Sequence, residues 1–506
     1  MTFSTSSVSR REFLKRSGLL AAAGFTTPLA GELALLSNTA TAQSSPDYRA
    51  LVCVFLLGGN DSTATFVPSD AESYQRCLEM RGHLMPDRRS LLDLGGDGTT
   101  GRELGFAPQL SGVKSIFDRG DLAVVANVGP LLGPTTKKAY ADIRNRPTQL
   151  FSHNDQQSTW QSSGPEGNTI GWGGRLGDLL MDSNGSNTAF TCMSTAGHAV
   201  MMSGQYASQY QINPKGVTKL FSPFQSGSVL EGLEEVMMLD DPSLFGSAYQ
   251  TVNESSLRTS DTLSQAVEPT PIGLPATRVG AQLDMVARLI DAGRGPLGLK
   301  RQVFFVGMGG FDTHASHATD HPRLLLELDQ SLKQFDDAIR RMGLADSVTT
   351  FTASEFGRTV SANSTGTDHG WGGHHMVMGG AVAGGKIVGT LPVIDDDGVD
   401  DVGRGRLLPK LSTDQYAGAL ATWMGVEDAQ LTTVVPSLSR FDRIDGALFG
   451  AGTVHSGGPG GTTGGGTTGG SGGGTGQGKE GLIGGSISNS GGLESARRRQ
   501  YSRIGK

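Results

Sequence analysis

Three short segments concentrate side chains that can hold a metal ion or move a proton. The first is Gly58-Gly59-Asn60-Asp61-Ser62. The second is Gly309-Gly310-Phe311-Asp312-Thr313-His314, with His317 and His321 just beyond. The third is Ser354-Glu355-Phe356-Gly357-Arg358, followed by Asp368-His369-Gly370-Trp371-Gly372-Gly373-His374-His375. Six of the ten histidines fall between positions 314 and 375, so the enrichment is local. Asp, Glu and His together form a ligand set for a divalent ion, and imidazole beside carboxylate suits Zn²⁺ or Mn²⁺ better than Mg²⁺ or Ca²⁺. The carboxylate oxygens neutralise charge, and a neutral imidazole nitrogen supplies a directional bond.

The candidate ligands are Asp61, Asp312, His314, Glu355, His369 and His374. The Asp-x-His spacing of Asp312 and His314 puts two donors on one face of an extended segment. His369 and His374 are expected in a glycine-rich loop that can fold tightly around an ion. A bridging carboxylate, Asp61 or Glu355, would let two ions sit about 4 Å apart, as in two-metal hydrolysis. Each residue alone has a plainer reading. An aspartate after a strand is commonly a helix N-cap. Asp312 and Glu355 equally read as caps or as partners of Arg358, and His317, His321 and His375 as surface histidines. Coincidence across three segments favours a site.

A nucleophile is less evident. Ser152, beside His153 and Asp155, is the first candidate for catalysis with His153, and Ser62 and Thr136 stand behind it. A free hydroxyl is a weak nucleophile and needs a base or a metal. Ser152 also reads as a helix cap after Phe151.

The elements that must position these groups alternate between strand and helix. Leu51–Leu57, Leu122–Val128, Gln302–Gly307 and Val348–Thr352 are short apolar runs rich in β-branched residues, as in strands buried on both faces. Leu325, Leu328, Leu332, Phe335, Ile339 and Met342 recur at spacings of three and four, predicting one helix that ends near Gly343. A second helix is expected over Val279–Ala292, stopping at Gly293. The class is α/β, with a mostly parallel central sheet flanked by helices. In such sheets ligands bind outside the carboxyl ends of the strands, which is where the three segments begin. The polar stretch from about Gly204 to Thr277 reads as an irregular insertion or cap.

The ends of the chain carry other signals. Arg10-Arg11-Glu12-Phe13-Leu14-Lys15, a weakly apolar stretch from Gly18 to Leu36, and Ala40-Thr41-Ala42 are a twin-arginine signal over residues 1–42. Pro28 and Glu32 interrupt the apolar stretch and argue against a permanent membrane span. The twin-arginine translocase is thus an expected partner, and the periplasm or cell surface the expected destination. The folded domain is expected over 43–450. A linker follows at 451–478, with 14 glycines in positions 456–478, then a short basic tail at 479–506. The stretch 43–478 holds 32 basic and 45 acidic residues, an acidic balance that disfavours nucleic acid as a partner. Three cysteines, Cys53, Cys77 and Cys192, allow one disulfide at most, and Cys53 sits in an apolar run as a buried thiol would.

Taken together these motifs resemble an exported bacterial family, domain of unknown function 1501. The resemblance rests on the twin-arginine start, Gly58-Gly59-Asn60-Asp61, Ser152-His153-Asn154-Asp155-Gln156-Gln157 with Trp160, Gly310-Phe311-Asp312-Thr313-His314, Ser354-Glu355-Phe356-Gly357-Arg358-Thr359 and Asp368-His369-Gly370. It spans residues 48 to about 449. The resemblance implies the alkaline-phosphatase-like superfold, a two-metal site, and transfer of a phosphoryl or sulfuryl group. On that basis Asp61 matches the first-strand metal aspartate, and Asp312 with His314 stands where the superfold has Asp-x-x-x-His. Ser316, not histidine, is four after Asp312. Glu355-Phe356 replaces an Asp-His pair, and His369 or His374 takes the place of a late histidine ligand. None of the cysteines begins the Cys-x-Pro-x-Arg run that sulfatases modify.

Two functions follow as expectations. One is an exported metal-dependent hydrolase acting on a small phosphate or sulfate ester. The other is a non-catalytic envelope binding or surface-assembly protein that keeps the hydrolase fold.

Overall fold

The structure is a computed structural model that describes residues 47–216, Gly232 and residues 243–450. The signal 1–42, the linker 451–478, the tail 479–506 and much of the middle of segment 204–277 lie outside the described residues.

The chain opens with β1 (Arg49–Leu57) and α1 (Ala71–Arg81), then β2 (Leu122–Gly129) and α2 (His153–Ser162). Short strands β3 (Cys192–Ser194) and β4 (Tyr210–Gln211) precede α3 (Arg278–Arg294), β5 (Arg301–Gly309), α4 (His317–Arg341) and β6 (Val348–Ala353). Then come β7 (Gly373–Met378), β8 (Lys386–Val388), β9 (Leu411–Ser412) and α5 (Thr413–Met424), with short helices after them. The nine strands form one sheet in the order β8-β2-β7-β6-β1-β5-β3-β4, with β9 also on β2. Only β7 runs against its neighbours, and the other pairings are parallel. The expected α/β class with a mostly parallel sheet is therefore what the chain adopts.

The central strand explains its own sequence. Ala50, Val52, Val54 and Leu56 of β1 join one core with residues of α3 and α4. Leu51, Cys53 and Phe55 join a second core with residues of α5. Because helices cover both faces, an alternating pattern gives way to a continuous apolar run. Each buried Val, Leu or Phe among them contributes about 1.5–3 kcal/mol by leaving water.

Register fixes the site. Leu57 pairs with Gly309 of β5, and Phe55 with Ala353 of β6. The carboxyl ends of β1, β5 and β6 are thus neighbours, and the loops after them meet. Gly58 has φ 116°, and a Cβ there would lie 2.4 Å from the Asp312 nitrogen. Only glycine lets the two loops touch backbone to backbone.

Several expectations need correction. Gly293 is not a helix stop. It lies inside α3, where a Cβ would meet Gln302 Oε1 at 2.1 Å, so it serves the close approach of α3 to β5. The segment read as irregular holds β4 and a helix over Leu244–Ala266 capped by Ser243. Its polar sequence carries too weak an apolar stripe to be read in advance. All three cysteines are free and buried, so no disulfide forms. No helix among the described residues is long and apolar enough to cross a membrane.

Candidate metal centre

Asp312 sits in the loop after β5, and its carboxylate is the hub of the site. Oδ1 accepts a hydrogen bond from Arg358 Nη1 at 2.7 Å. The same oxygen lies 3.0 Å from His314 Nε2 and 3.1 Å from His369 Nε2. Oδ2 lies 3.4 Å from His153 Nε2. Ligand atoms of His153, Asp312 and His369 all fall within 4.8 Å of one another. His314 Nε2 is 3.0 Å from His369 Nε2. Asp312 and His314 remain 44% exposed, so the cluster opens to solvent.

Each imidazole is held from behind by an oxygen. His369 Nδ1 lies 2.7 Å from the Phe151 carbonyl, which can only accept. His153 Nδ1 lies 2.8 Å from Glu355 Oε1. That oxygen also accepts from the Gly58 amide at 2.9 Å and from Gln157 at 3.0 Å. His314 Nδ1 lies 3.3 Å from Asp368 Oδ1, which also accepts from Asn363 at 2.7 Å. With each Nδ1 donating, the lone pair of a neutral ring sits on Nε2. Three lone pairs therefore point at one carboxylate, acceptors facing an acceptor. Only a shared proton or a cation relieves that arrangement. Carboxylates and carbonyls that brace a ligating imidazole through Nδ1 are the usual outer layer of a metal site.

Charge around the hub is consistent with it. Burial pushes the Asp312 carboxyl up, but the Arg358 hydrogen bond and charge outweigh this and hold it below the ordinary range. The Glu355 hydrogen bond pushes the His153 imidazole up. Burial pushes His369 down. Arg358 is itself fully buried and anchored, donating to the Gly58 carbonyl at 3.2 Å and to Thr367 Oγ1 at 3.2 Å.

The structure sorts the six ligand candidates. Asp312, His314 and His369 come together. Glu355 stands behind them as the brace of His153. Asp61 lies elsewhere. It is fully buried, caps the turn Ser62–Thr65 through the Ala64 amide at 3.0 Å, and receives Arg81 at 3.1 and 2.7 Å. His317 Nε2 is 3.3 Å from its Oδ2, which Arg81 Nη2 also reaches. Burial pushes the Asp61 carboxyl up, but Arg81 and His317 dominate and keep it far below the usual range. An ion pair has taken the carboxylate that the resemblance assigns to a metal. His374 is also elsewhere. The glycine-rich run Gly370–Gly373 does not form an ion-wrapping loop, because it leads directly into β7. His374 is buried in that strand and its Nδ1 accepts the Asn127 amide at 3.0 Å.

His317 and His321 are not surface histidines. They stack at 4.7 Å in the interior, with His321 Nε2 3.2 Å from Asn60 Oδ1. His375 is buried against Trp160 and Tyr416. Ser152 is the N-cap of α2, as its plainer reading had it, yet its side chain makes no capping bond. Thr136 caps a short helix through the Ala139 amide at 3.2 Å. His153, expected as the catalytic partner of Ser152, lies between Glu355 and Asp312. It faces Asp312 from the start of α2, and its sequence neighbourhood carried the motif without the role.

A family described as "Protein of unknown function (DUF1501)" matches residues 48–417. No curated protein matches. Among solved structures, the chain is similar to Ps i-CgsB at 8% identity and TM-score 0.32, covering 78% of this chain and 77% of that one. It is also similar to PsFucS1 sulfatase from Pseudoalteromonas sp. at 11% identity and TM-score 0.29, covering 76% and 69%. These likenesses do not bear on the chemistry of the site.

Proposed function

We propose that this chain, which belongs to the DUF1501 family, is an exported hydrolase-like protein built around one divalent ion held by His153, Asp312, His314 and His369. The observation that supports this reading is the convergence of three Nε2 nitrogens on Asp312, each ring braced through Nδ1. Three imidazoles and one carboxylate suit Zn²⁺ or Mn²⁺. When bound, such an ion polarises an ester oxygen and lowers the pKa of an attacking group. Glu355, Phe151 and Asp368 fix the tautomers, and Arg358 keeps Asp312 negative and aimed at the cluster. The proposed substrate is a small phosphate or sulfate ester, reached after twin-arginine export to the periplasm or cell surface. Ser152, one residue before His153, is the proposed nucleophile.

One ion rather than two is favoured by the Asp61–Arg81 pair, since a buried guanidinium fills the carboxylate a second ion would use. The same pair supports the second reading, an envelope binding protein that keeps the fold without turnover. The mature protein, purified and loaded with Zn²⁺ or Mn²⁺, tests both. Metal-dependent hydrolysis of a generic phosphate or sulfate ester, lost in Asp312→Ala, supports the enzyme. A bound ion without turnover supports the binding protein.

A further inference from the structure

Arg406 lies beside the candidate ion site, near Asp368 and Asp401, but forms no salt bridge among the described residues. It belongs to a tight hairpin bridged between Asp401 and Leu407. Its Nε donates to the His369 carbonyl at 3.1 Å, and its guanidinium lies 4.2 Å over the Phe151 ring centre. Phe151 in turn offers the carbonyl that holds His369 Nδ1, from a backbone φ of 75°. Few non-glycine residues adopt that conformation, and such strain gathers at functional sites. The Phe151 ring packs on the cluster of Leu131, Trp371 and Leu408, so the platform under Arg406 is anchored. Arg406, Phe151 and His369 thus close a circuit, and the guanidinium cannot swing away without breaking two contacts.

The two terminal nitrogens of Arg406 make no hydrogen bond to any described residue. Among the described residues, no carboxylate pairs with Arg406, and Nε makes its side-chain hydrogen bond. The nearby acids are engaged. Asp368 holds His314 at 3.3 Å and Arg404 at 3.4 Å, and Asp401 accepts the Asp397 and Gly403 amides at 3.1 and 2.7 Å. A half-buried guanidinium next to a cation site, with Arg358 also close by, raises the local positive charge. An anion between them relieves it. The planar fork of arginine matches a tetrahedral oxyanion through two parallel bonds.

We propose that Arg406 is the oxyanion-binding residue of this site, its terminal nitrogens taking the phosphate or sulfate group of an ester. This rests on the ion-centre reading above. The role selects charged tetrahedral esters over neutral carboxylic esters.

The test uses the mature protein loaded with Zn²⁺, with Arg406→Gln and Arg406→Lys beside it. Inorganic phosphate and sulfate are titrated separately by calorimetry, and ion content is measured on every sample. The wild-type protein is expected to bind at least one anion saturably, and the tighter one identifies the ester class. Arg406→Gln should weaken that binding about tenfold or more with the ion retained. Arg406→Lys should recover part of it, because charge remains and the fork is lost. Equal affinity in Arg406→Gln overturns the proposal, as does an ion-loaded wild-type protein that binds neither anion. Loss of the ion in Arg406→Gln also overturns it, since Arg406 would then brace His369. A wild-type protein that takes up no ion removes the ion-centre reading and this proposal together.

Discussion

His153 Nδ1 and Glu355 Oε1 lie 2.8 Å apart, although 202 positions separate them in sequence. The contact joins the start of α2 to the loop after β6, and it turns His153 Nε2 toward Asp312. Glu355 is fully buried behind the ring, where an ion cannot reach it without displacing His153. A brace of this kind raises ligand basicity and fixes ring orientation. Glu355→Ala is therefore expected to weaken ion binding by about 10–100-fold. Glu355→Gln keeps an acceptor oxygen and should lose less. Competition with a chelator of known affinity measures both. Equal affinity in Glu355→Ala and wild type would remove Glu355 from the site.

Gly58 makes a second prediction, because its φ of 116° and the 2.4 Å approach to Asp312 leave no room for a methyl group. Gly58→Ala should push the loop after β5 outward and carry Asp312 with it. Ion affinity is expected to fall more than global stability does. Chelator competition and urea unfolding on the same sample separate the two effects.

The Asp61–Arg81 pair predicts the opposite pattern. Both side chains are 0% exposed, and Arg81 also donates to the Val360 and Thr359 carbonyls at 2.9 and 3.0 Å. Arg81→Met strands a buried carboxylate and should cost about 3–5 kcal/mol of stability. The double variant Arg81→Met with Asp61→Asn should recover much of that loss. Ion content should remain unchanged in both. Loss of the ion in the double variant would return Asp61 to the ligand set.

Acid stability offers a further check. Burial lowers His374 to about 4 and His375 to about 3, and His375 Nδ1 has no partner. Both values lie below the ordinary 6.5, so the unfolded chain binds more protons as pH falls through 6.5. Stability should then drop by about 1.4 kcal/mol per pH unit for each histidine down to its folded value. Asp414 opposes this. Burial raises it to about 6, so its contribution is lost as pH rises from its unfolded value of 3.8 toward 6. Burial also lowers His321 to about 3, so three histidines outweigh Asp414 and the slope from these groups stays positive. His375→Phe, packed between Trp160 and Tyr416, should flatten the urea midpoint between pH 4 and 6.5. An unchanged slope would show that the ring charges without cost.

Much of this was readable in the sequence because strand-ends carry their own signals. Glycines after apolar runs marked the loops that bear Asp61 and Asp312, Glu355 followed the run Val348–Thr352, and the Asp368-His369-Gly370 run held a further member. The stripe from Leu325 to Ile339 gave α4 its buried face. What failed depended on partners distant in sequence. Asp61 looks like a ligand until Arg81 closes on it. His374 looks like loop until β7 pairs with β2 and β6 and buries it. His153 needed the start of α2 to meet the loop after β6, which no local pattern encodes. Arg406 gave no signal at all, since its role comes from the Phe151 ring 255 positions earlier and the His369 carbonyl.

The most direct measurement is the number of divalent ions per chain in the mature protein after loading and dialysis. Wild type and the Arg81→Met, Asp61→Asn double variant are expected to hold one ion each. Asp312→Ala and His153→Ala are expected to hold none. No stoichiometric ion in wild type, or full retention in Asp312→Ala, would contradict a metal centre at Asp312.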